Sequence, residues 1–131
     1  MYLLDTNICV CLISGKFEHV NQTFLKIPPD QIAVSAIVAA ELAYGVEHSH
    51  RVEDNRKRLD VFFIGVPVLD WSKNAIWHYA KLKSQLRKAG TPIGELDLQI
   101  AAHSLALDAI CVTNNTREFE RIEGLRLENW V

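Results

Sequence analysis

Tyr2-Leu3-Leu4-Asp5-Thr6-Asn7 is a short apolar run that stops at three polar residues. Such a run is typical of a strand that is buried on both faces, as in a parallel sheet covered by helices. The pattern returns near the other end of the chain, where 109–112 is apolar and Thr113-Asn114-Asn115 follows. Since ligands bind beyond the carboxyl ends of parallel strands, we expect both polar groups to lie on one rim of a sheet.

Helical and strand patterns alternate along the rest of the chain. We predict further strands at 31–34 and 66–69 and an edge strand at 125–127, with helices at 6–14, 18–26, 36–46, 53–63, 70 or 72 to 89, 95–107 and 117–121. Thr6 or Asn7 is expected to cap the first of these helices, and Ser35 the third. The alternation predicts an α/β fold with right-handed crossovers between parallel strands.

Length and composition favour one domain spanning residues 1–131. The chain is 49% hydrophobic, which is enough for a single buried core, and its net charge of -2 gives no overall attraction to nucleic acid. A nucleic-acid partner would therefore need a local basic patch. The three cysteines, Cys9, Cys11 and Cys111, lack the spacing of a CxxC motif and are expected to be free and buried in a reducing cytoplasm. Without a basic leader or a long apolar run, neither export nor membrane insertion is expected.

Three carboxylates stand where this fold would gather them. Asp5 follows the first strand, Glu41 lies within an otherwise apolar helix, and Asp97 lies in the first turn of another. Each has an ordinary explanation by itself, as a helix cap, a solvent-facing residue or an acid favoured by the helix dipole. Together, two such charges about 4 Å apart would repel by roughly 4 kcal/mol at an effective dielectric of about 20. The cluster therefore predicts shared protons or a bound hard cation, Mg²⁺ or Mn²⁺.

The fourth member of the cluster is either Asn115 or Glu118. A metal held by such oxygens can activate water and orient a phosphate, which is the equipment of a nuclease that cleaves phosphodiester bonds. The chain has no GxSxG, HExxH or P-loop motif to support another chemistry. His103, two helical turns beyond Glu95 or Asp97, is more typical of a packed or capping residue than of a base.

Four segments resemble PIN-domain proteins of the VapC toxin type. They are Leu-Leu-Asp-Thr-Asn at 3–7, the segment from Ser35 through Glu-Leu-Ala-Tyr-Gly-Val at 41–46, Pro-Ile-Gly-Glu-Leu-Asp at 92–97 with Ile-Ala-Ala-His at 100–103, and Val-Thr-Asn-Asn-Thr-Arg-Glu-Phe at 112–119. The resemblance covers essentially the whole chain. It implies a single PIN domain, with three α/β/α layers around a short central parallel sheet.

The resemblance also implies a function. A VapC-type protein is a Mg²⁺- or Mn²⁺-dependent endoribonuclease, the toxin of a type II toxin-antitoxin system, which a VapB-like antitoxin neutralises. The chain is most similar to the subgroup that cleaves the anticodon stem-loop of initiator tRNA, tRNA(fMet), and so inhibits translation. A cytoplasmic homodimer is expected by the same resemblance.

Carried over by position, Asp5, Glu41 and Asp97 are the catalytic, metal-binding acids, and Asn7 and Thr113 are polar support around them. Many PIN domains have an aspartate where this chain has Asn115. The fourth ligand is therefore an amide, a water or the nearby Glu118. An amide adds no negative charge, which favours one tightly held metal and a second recruited only with RNA.

Two other functions remain open for a chain with these acids. A phosphatase-like enzyme could use Asp5 as nucleophile, but that chemistry usually needs an aspartate where this chain has Asn7. A catalytically inactive PIN-like module that binds RNA or protein would have little reason to retain all three acids.

The candidate basic rim consists of two groups, which could equally be solvated helix faces: Arg51, Arg56, Lys57 and Arg58, and Lys81, Lys83, Arg87 and Lys88.

Apolar and aromatic residues suggest where partners would bind. The helices at 8–13 and 36–46 are expected to leave a groove for an amphipathic segment of the antitoxin. The aromatic residues that could stack on RNA bases, but for which a core or interface role is favoured, are Trp71, Trp77, Trp130, Phe62 and Phe63.

Overall fold

The computed structural model describes all residues from 1 to 131. The strands are Tyr2–Leu4 (β1), Ile32–Ser35 (β2), Val68–Leu69 (β3), Ile110–Val112 (β4) and Leu127–Glu128 (β5). The helices are Thr6–Ser14 (α1), Glu18–Leu25 (α2), Ala36–Glu47 (α3), Val52–Gly65 (α4), Ala75–Lys88 (α5), Glu95–Leu107 (α6) and Thr116–Phe119 (α7), with a 3₁₀ turn at Pro29–Gln31.

The five strands form one parallel sheet in the order β3-β2-β1-β4-β5. In the centre of the sheet, Leu3 of β1 is aligned with Ala33 on one side and with Cys111 on the other. From β1 the chain moves outward to β2 and β3, then returns to place β4 on the opposite side of β1. The junction of β1 and β4 is therefore the topological switch point, where α/β proteins bind their ligands.

Strand β1 is buried on both faces, as predicted. Leu4 belongs to the main hydrophobic core, whereas its neighbour Leu3 packs in a smaller cluster with Ala33 and Ala109. Successive side chains of a strand point to opposite faces, so helices must cover both sides of the sheet. The predicted α/β/α arrangement with a short parallel sheet is confirmed.

Most predicted elements are confirmed within a few residues, but the first helix cap is not. The Asp5 side chain caps α1 by accepting a hydrogen bond from Ile8 N at 3.2 Å, so the predicted cap at Thr6 or Asn7 is wrong. A carboxylate at the end of β1 is already placed to reach the free backbone N–H groups of the next turn. Ser35 does cap α3, with its hydroxyl accepting from Ile37 N at 3.1 Å.

Two other boundaries also differ from prediction. Helix α5 begins at Ala75 rather than at residue 70 or 72, because Ser72 forms a separate turn by accepting a hydrogen bond from Asn74 N. Helix α7 begins at Thr116 and ends at Phe119, rather than spanning 117–121.

The cysteines are buried, and most aromatic residues lie in the hydrophobic core or pack against it. Cys9, Cys11 and Cys111 are buried and free, as expected. Trp130 is also buried, and the Trp71 indole N–H donates to the backbone oxygen of Gln99 at 3.0 Å. Trp77 has no core role, since 72% of it is exposed, and the interface role stays a prediction for it. No helix has both the length and the apolar character needed to cross a membrane.

Candidate active site

Asp5 lies at the switch point and is held by both central strands. Its backbone N–H donates to Val112 O at 2.9 Å, which continues the pairing of β1 with β4. One carboxylate oxygen accepts from Ile8 N, and the other accepts from the Thr113 hydroxyl at 2.5 Å. Asp5 is only 5% exposed, so these bonds replace the water that its charge would otherwise attract.

Burial raises the pKa of Asp5 above its ordinary value. The hydrogen bonds from Thr113 and from the backbone of α1 favour the charged form and oppose this shift, while the negative charge of Glu41 adds to it. A carboxylate in this position would be stabilised further by a cation.

Glu41 approaches Asp5 from α3 and is held by Thr6. The Thr6 hydroxyl donates to Glu41 Oε2 at 2.7 Å. From the sequence, Thr6 is expected only as a helix cap, so this contact is not predicted. The one signal that could have revealed it is the position of Thr6 directly after Asp5, on the turn of α1 that faces the site.

Asn115 connects the remaining two acids. Its side-chain N–H group donates to Asp97 Oδ2 at 3.1 Å and to Glu118 Oε2 at 3.4 Å. Its backbone N–H donates to the Thr113 hydroxyl at 2.9 Å, and Thr113 in turn bonds to Asp5. The two candidates for the fourth position, Asn115 and Glu118, are thus both present at the same rim of the sheet.

The carboxyl groups of Asp97 and Glu118 are coupled. Burial, the hydrogen bond with Glu118 and the negative charge of Glu118 raise the pKa of Asp97 to about 7. The same hydrogen bond lowers the pKa of Glu118. At neutral pH the pair therefore tends to share a proton, as expected for two carboxylates that face one another.

The structure brings together Asp5, Glu41, Asp97, Asn115, Glu118 and Thr113, but it places two other residues differently. Asn7 is exposed and donates to Asn114 Oδ1 at 3.3 Å rather than to an acid of the site. His103 is buried, and its Nδ1 atom has no hydrogen-bond partner. It forms no hydrogen bond to the acidic residues, in agreement with the packed role expected for it.

The donor atoms of the site are carboxylate and amide oxygens, which suit a hard cation. No three His, Cys, Asp or Glu side chains are arranged to hold an ion by themselves. Mg²⁺ typically keeps several waters and is bound through only one or two carboxylates, so the pairs present here fit its chemistry.

Two clefts adjoin Glu41. The larger has a volume of about 510 Å³ and lies between α1, α3 and α4, where the notable residues are Val10, Ile13, Leu42, Val46, Leu59 and Arg58. The smaller, of about 320 Å³, lies between α3 and α6. Glu41 and Tyr44 line both clefts, so each opens directly beside the acidic cluster.

A five-stranded parallel sheet with acids at its carboxyl rim is the architecture expected of a PIN domain. Residues 2–125 match the PIN domain model, and the chain belongs to the PIN-domain family. Within that family its relatives place it in the VapC group. It is 43% identical over 131 residues to Ribonuclease VapC2 of Rickettsia felis, covering 99% of this chain and 98% of that protein.

A second relative is the tRNA(fMet)-specific endonuclease VapC of Salmonella typhimurium, which is 38% identical over 129 residues, with 98% of this chain and 97% of that protein covered. The fold is also similar to that in the crystal structure of VapBC2 from Rickettsia felis bound to a DNA fragment from its promoter. That comparison has a TM-score of 0.92 at 41% identity and covers 99% of this chain and 98% of the other. The resemblance found in the sequence is therefore confirmed.

Proposed function

We propose that this chain is a metal-dependent endoribonuclease and the toxin of a type II toxin-antitoxin system. The observation that carries the proposal is the cluster of Asp5, Glu41 and Asp97 at the switch point, with burial raising the pKa of two of the three. The relatives named as ribonucleases support the reaction class. The whole chain, residues 1–131, would act as one PIN domain.

The residues that would hold Mg²⁺ or Mn²⁺ are Asp5, Glu41 and Asp97, one or two of them directly and the rest through waters of the ion, with Glu118 and Asn115 as further oxygen donors. When bound, the cation would supply an activated water and neutralise charge on the phosphate. Thr113, Thr6 and Asn115 would keep these groups in place through the bonds described above. Such support matters because small errors in the position of a reacting group lower the rate strongly.

For the substrate, we propose initiator tRNA, cut in its anticodon stem-loop so that translation is inhibited. The relative named as a tRNA(fMet)-specific endonuclease supports this choice. RNA is recognised largely through its phosphates and unpaired bases. The exposed residues available for phosphate contacts, which form no ion pair within the chain, are Arg51, Arg56, Lys57, Arg58, Lys81, Arg87 and Lys88. Lys83 is instead engaged by Glu95 at 3.4 Å.

The proposed partner is a VapB-like antitoxin, in line with the VapBC complexes among the similar structures. The larger cleft between α1, α3 and α4 offers an apolar floor for an amphipathic segment. A segment bound there would end beside Glu41 and block the acids. We further propose that the toxin is a homodimer and acts in the bacterial cytoplasm, where its RNA substrate is found.

A cleavage assay tests the proposed function. The purified chain, freed of antitoxin, should cut RNA with Mg²⁺ or Mn²⁺ and stop when EDTA removes the ion. Asp5→Ala and Asp97→Asn should abolish cleavage while the far-ultraviolet circular dichroism remains unchanged. Asp70→Asn is the matched control, because Asp70 also follows a strand but is exposed and lies outside the cluster.

Sequencing of the new 5′ ends in total cellular RNA would identify the substrate. Cuts confined to the anticodon stem-loop of initiator tRNA would support the proposal. Cleavage that persists in EDTA, or full activity in either active-site variant, would refute the metal-dependent mechanism. Metal-independent RNA binding without any cleavage would instead indicate the inactive binding module.

A further inference from the structure

Tyr44 is an exposed aromatic residue beside the candidate acids. It lies on α3 one helical turn beyond Glu41, and 67% of it is accessible. It forms the wall between the larger cleft and the smaller one. A large aromatic side chain this exposed contributes little to the core, so its position suggests a role in binding.

The Tyr44 ring is held by a neighbouring ring. It stacks on His48, with 5.7 Å between the centroids and 12° between the planes. His48 caps the C-terminal end of α3, four residues beyond Tyr44, so the contact is local to the end of this helix. The stack presents a flat, oriented aromatic surface to the solvent.

Across the smaller cleft lies Gln99 of α6. Its backbone oxygen accepts the hydrogen bond from Trp71, which anchors this part of the helix. Its side-chain amide is half-buried, lines the cleft and has no partner within the chain. An amide offers both donors and an acceptor, the combination that can bind the edge of a nucleobase.

We propose that the smaller cleft is a nucleobase subsite for the RNA substrate. Tyr44 stacks on an unpaired base next to the scissile phosphate, and the Gln99 amide binds the edge of that base. The remaining lining residues are apolar, namely Ile37, Ala40 and Leu96, apart from Glu41. The inference rests on the proposed ribonuclease function and specifies how that function selects its substrate.

The composition and position of the cleft favour an RNA base over other occupants. Unpaired bases are recognised by aromatic stacking combined with hydrogen bonds to their edges, and both elements are present here. Glu41 lines the same cleft, so a base bound in it holds its own phosphate close to the acids. A second copy of the chain could also cover Tyr44, and the experiment below separates these two cases.

The test compares Tyr44→Ala, Tyr44→Phe and Phe17→Ala in cleavage of an RNA hairpin with the anticodon stem-loop sequence of initiator tRNA. Tyr44→Ala should lower kcat/KM by roughly 5- to 150-fold, the range expected for loss of one stacked base. Tyr44→Phe should retain most of the activity, because stacking uses the ring rather than the hydroxyl. Phe17→Ala is the control, since Phe17 is an exposed aromatic residue that lines neither cleft.

A modified substrate makes the test specific to stacking. For the wild-type protein, removing the base at the unpaired position next to the cut should lower kcat/KM about as much as Tyr44→Ala does. For the Tyr44→Ala variant, the same abasic hairpin should lower kcat/KM little further, because the stacking interaction is already lost. Gln99→Ala should reduce the preference between bases at that position.

The outcomes separate the subsite from the proposed function. If wild-type protein cleaves the hairpin and Tyr44→Ala leaves kcat/KM unchanged, the subsite alone is overturned. The subsite is also overturned if the losses in kcat/KM from Tyr44→Ala and from the abasic hairpin are fully additive. Conversion of a dimer to a monomer by Tyr44→Ala, measured by light scattering, would assign the cleft to a second copy of the chain instead. Failure of wild-type protein to cleave the hairpin at all would overturn the proposed substrate together with its subsite.

Discussion

The Thr113 hydroxyl donates a hydrogen bond to Asp5 Oδ2 at 2.5 Å, which links side chains that are 108 residues apart. The contact exists because β1 and β4 pair as neighbours at the centre of the sheet and both end at this rim. Asp5 also caps α1, so one side chain joins the two central strands to the first helix. Folding the sheet therefore assembles part of the site.

Replacing Thr113 with valine removes the hydroxyl but nearly preserves the shape of the side chain, so it tests the hydroxyl alone. Thr113→Val leaves a buried carboxylate oxygen of Asp5 without its donor, which should destabilise the fold by about 1–3 kcal/mol. It also removes an interaction that lowers the pKa of Asp5, so that pKa should rise. Urea unfolding would measure the first effect, and a pH profile of RNA cleavage the second.

Thr113→Ser is the matched control, because it keeps the hydroxyl and loses only a methyl group. Serine should preserve most of the activity and leave the pH profile unchanged. Equal losses in the serine and valine variants would show that packing around β4, rather than the bond to Asp5, is what matters.

Thr6→Val should impair catalysis and lower the free energy of unfolding by only about 1 kcal/mol. The Thr6 hydroxyl holds Glu41 at 2.7 Å in a partly buried location, and a net hydrogen bond of this kind contributes about 1 kcal/mol. Released from it, Glu41 can take up other rotamers, and we expect a decrease of roughly tenfold in kcat, since a misplaced catalytic group is costly. Single-turnover cleavage at saturating RNA would measure this, and recovery of activity in Thr6→Ser would attribute it to the hydroxyl.

The sequence predicts where the acids are but not what holds them. Asp5 and Thr113 follow buried strands, so the rule for parallel sheets places them on one rim before any coordinates are known. The partner of Glu41 depends on which way the Thr6 side chain turns, and Thr6, Asn7 and Asp5 are all suitable helix caps. Local propensity cannot choose among them, because the choice is made by contacts with α3 and β4.

The fourth position illustrates the same limit. From the sequence, Asn115 and Glu118 are alternatives, because only their spacing within the last motif is known. In the structure both reach Asp97, since α7 turns directly after Asn115 and brings Glu118 back toward the loop before α6. On so short a helix, a spacing of three residues does not predict which way the Glu118 side chain points. The loop at 91–94 has no hydrophobic pattern from which its position could be predicted.

Asn115→Asp would restore the aspartate found in many PIN domains and should make the site depend more on a cation. The substitution replaces the N–H group that donates to Asp97 with an oxygen that repels it. Without metal, the variant should be less stable by about 1–3 kcal/mol, the usual cost of an unsatisfied or opposed polar pair. Added Mg²⁺ or Mn²⁺ should recover more stability in the variant than in the wild type.

Thermal unfolding with and without each ion would measure this difference. Asn115→Asp adds a negative charge beside Asp97, whereas Glu118→Gln removes one. Glu118→Gln should therefore lower the pKa of Asp97 toward the ordinary range. Equal ion-induced stabilisation of wild type and Asn115→Asp would contradict a metal-binding role for this corner of the site.

His103 should make the fold sensitive to mild acid. It is 1% exposed with no partner for Nδ1, and burial lowers its pKa below the ordinary 6.5. The folded protein therefore keeps His103 neutral, while the unfolded chain binds a proton as the pH falls through 6.5. The stability associated with neutral His103 is fully present above that pH and is lost progressively below it.

Asp5 and Asp97 act in the opposite direction, because their raised pKa values favour folding as the pH falls. The His103 contribution must therefore be isolated by comparison with His103→Leu, which removes the titrating group and keeps an apolar side chain. The free energy of unfolding of this variant, measured in urea across the pH range on both sides of 6.5, should improve relative to wild type as the pH decreases. A constant difference between the two proteins would mean that His103 titrates alike in the folded and unfolded states, and that its burial carries no proton-linked cost.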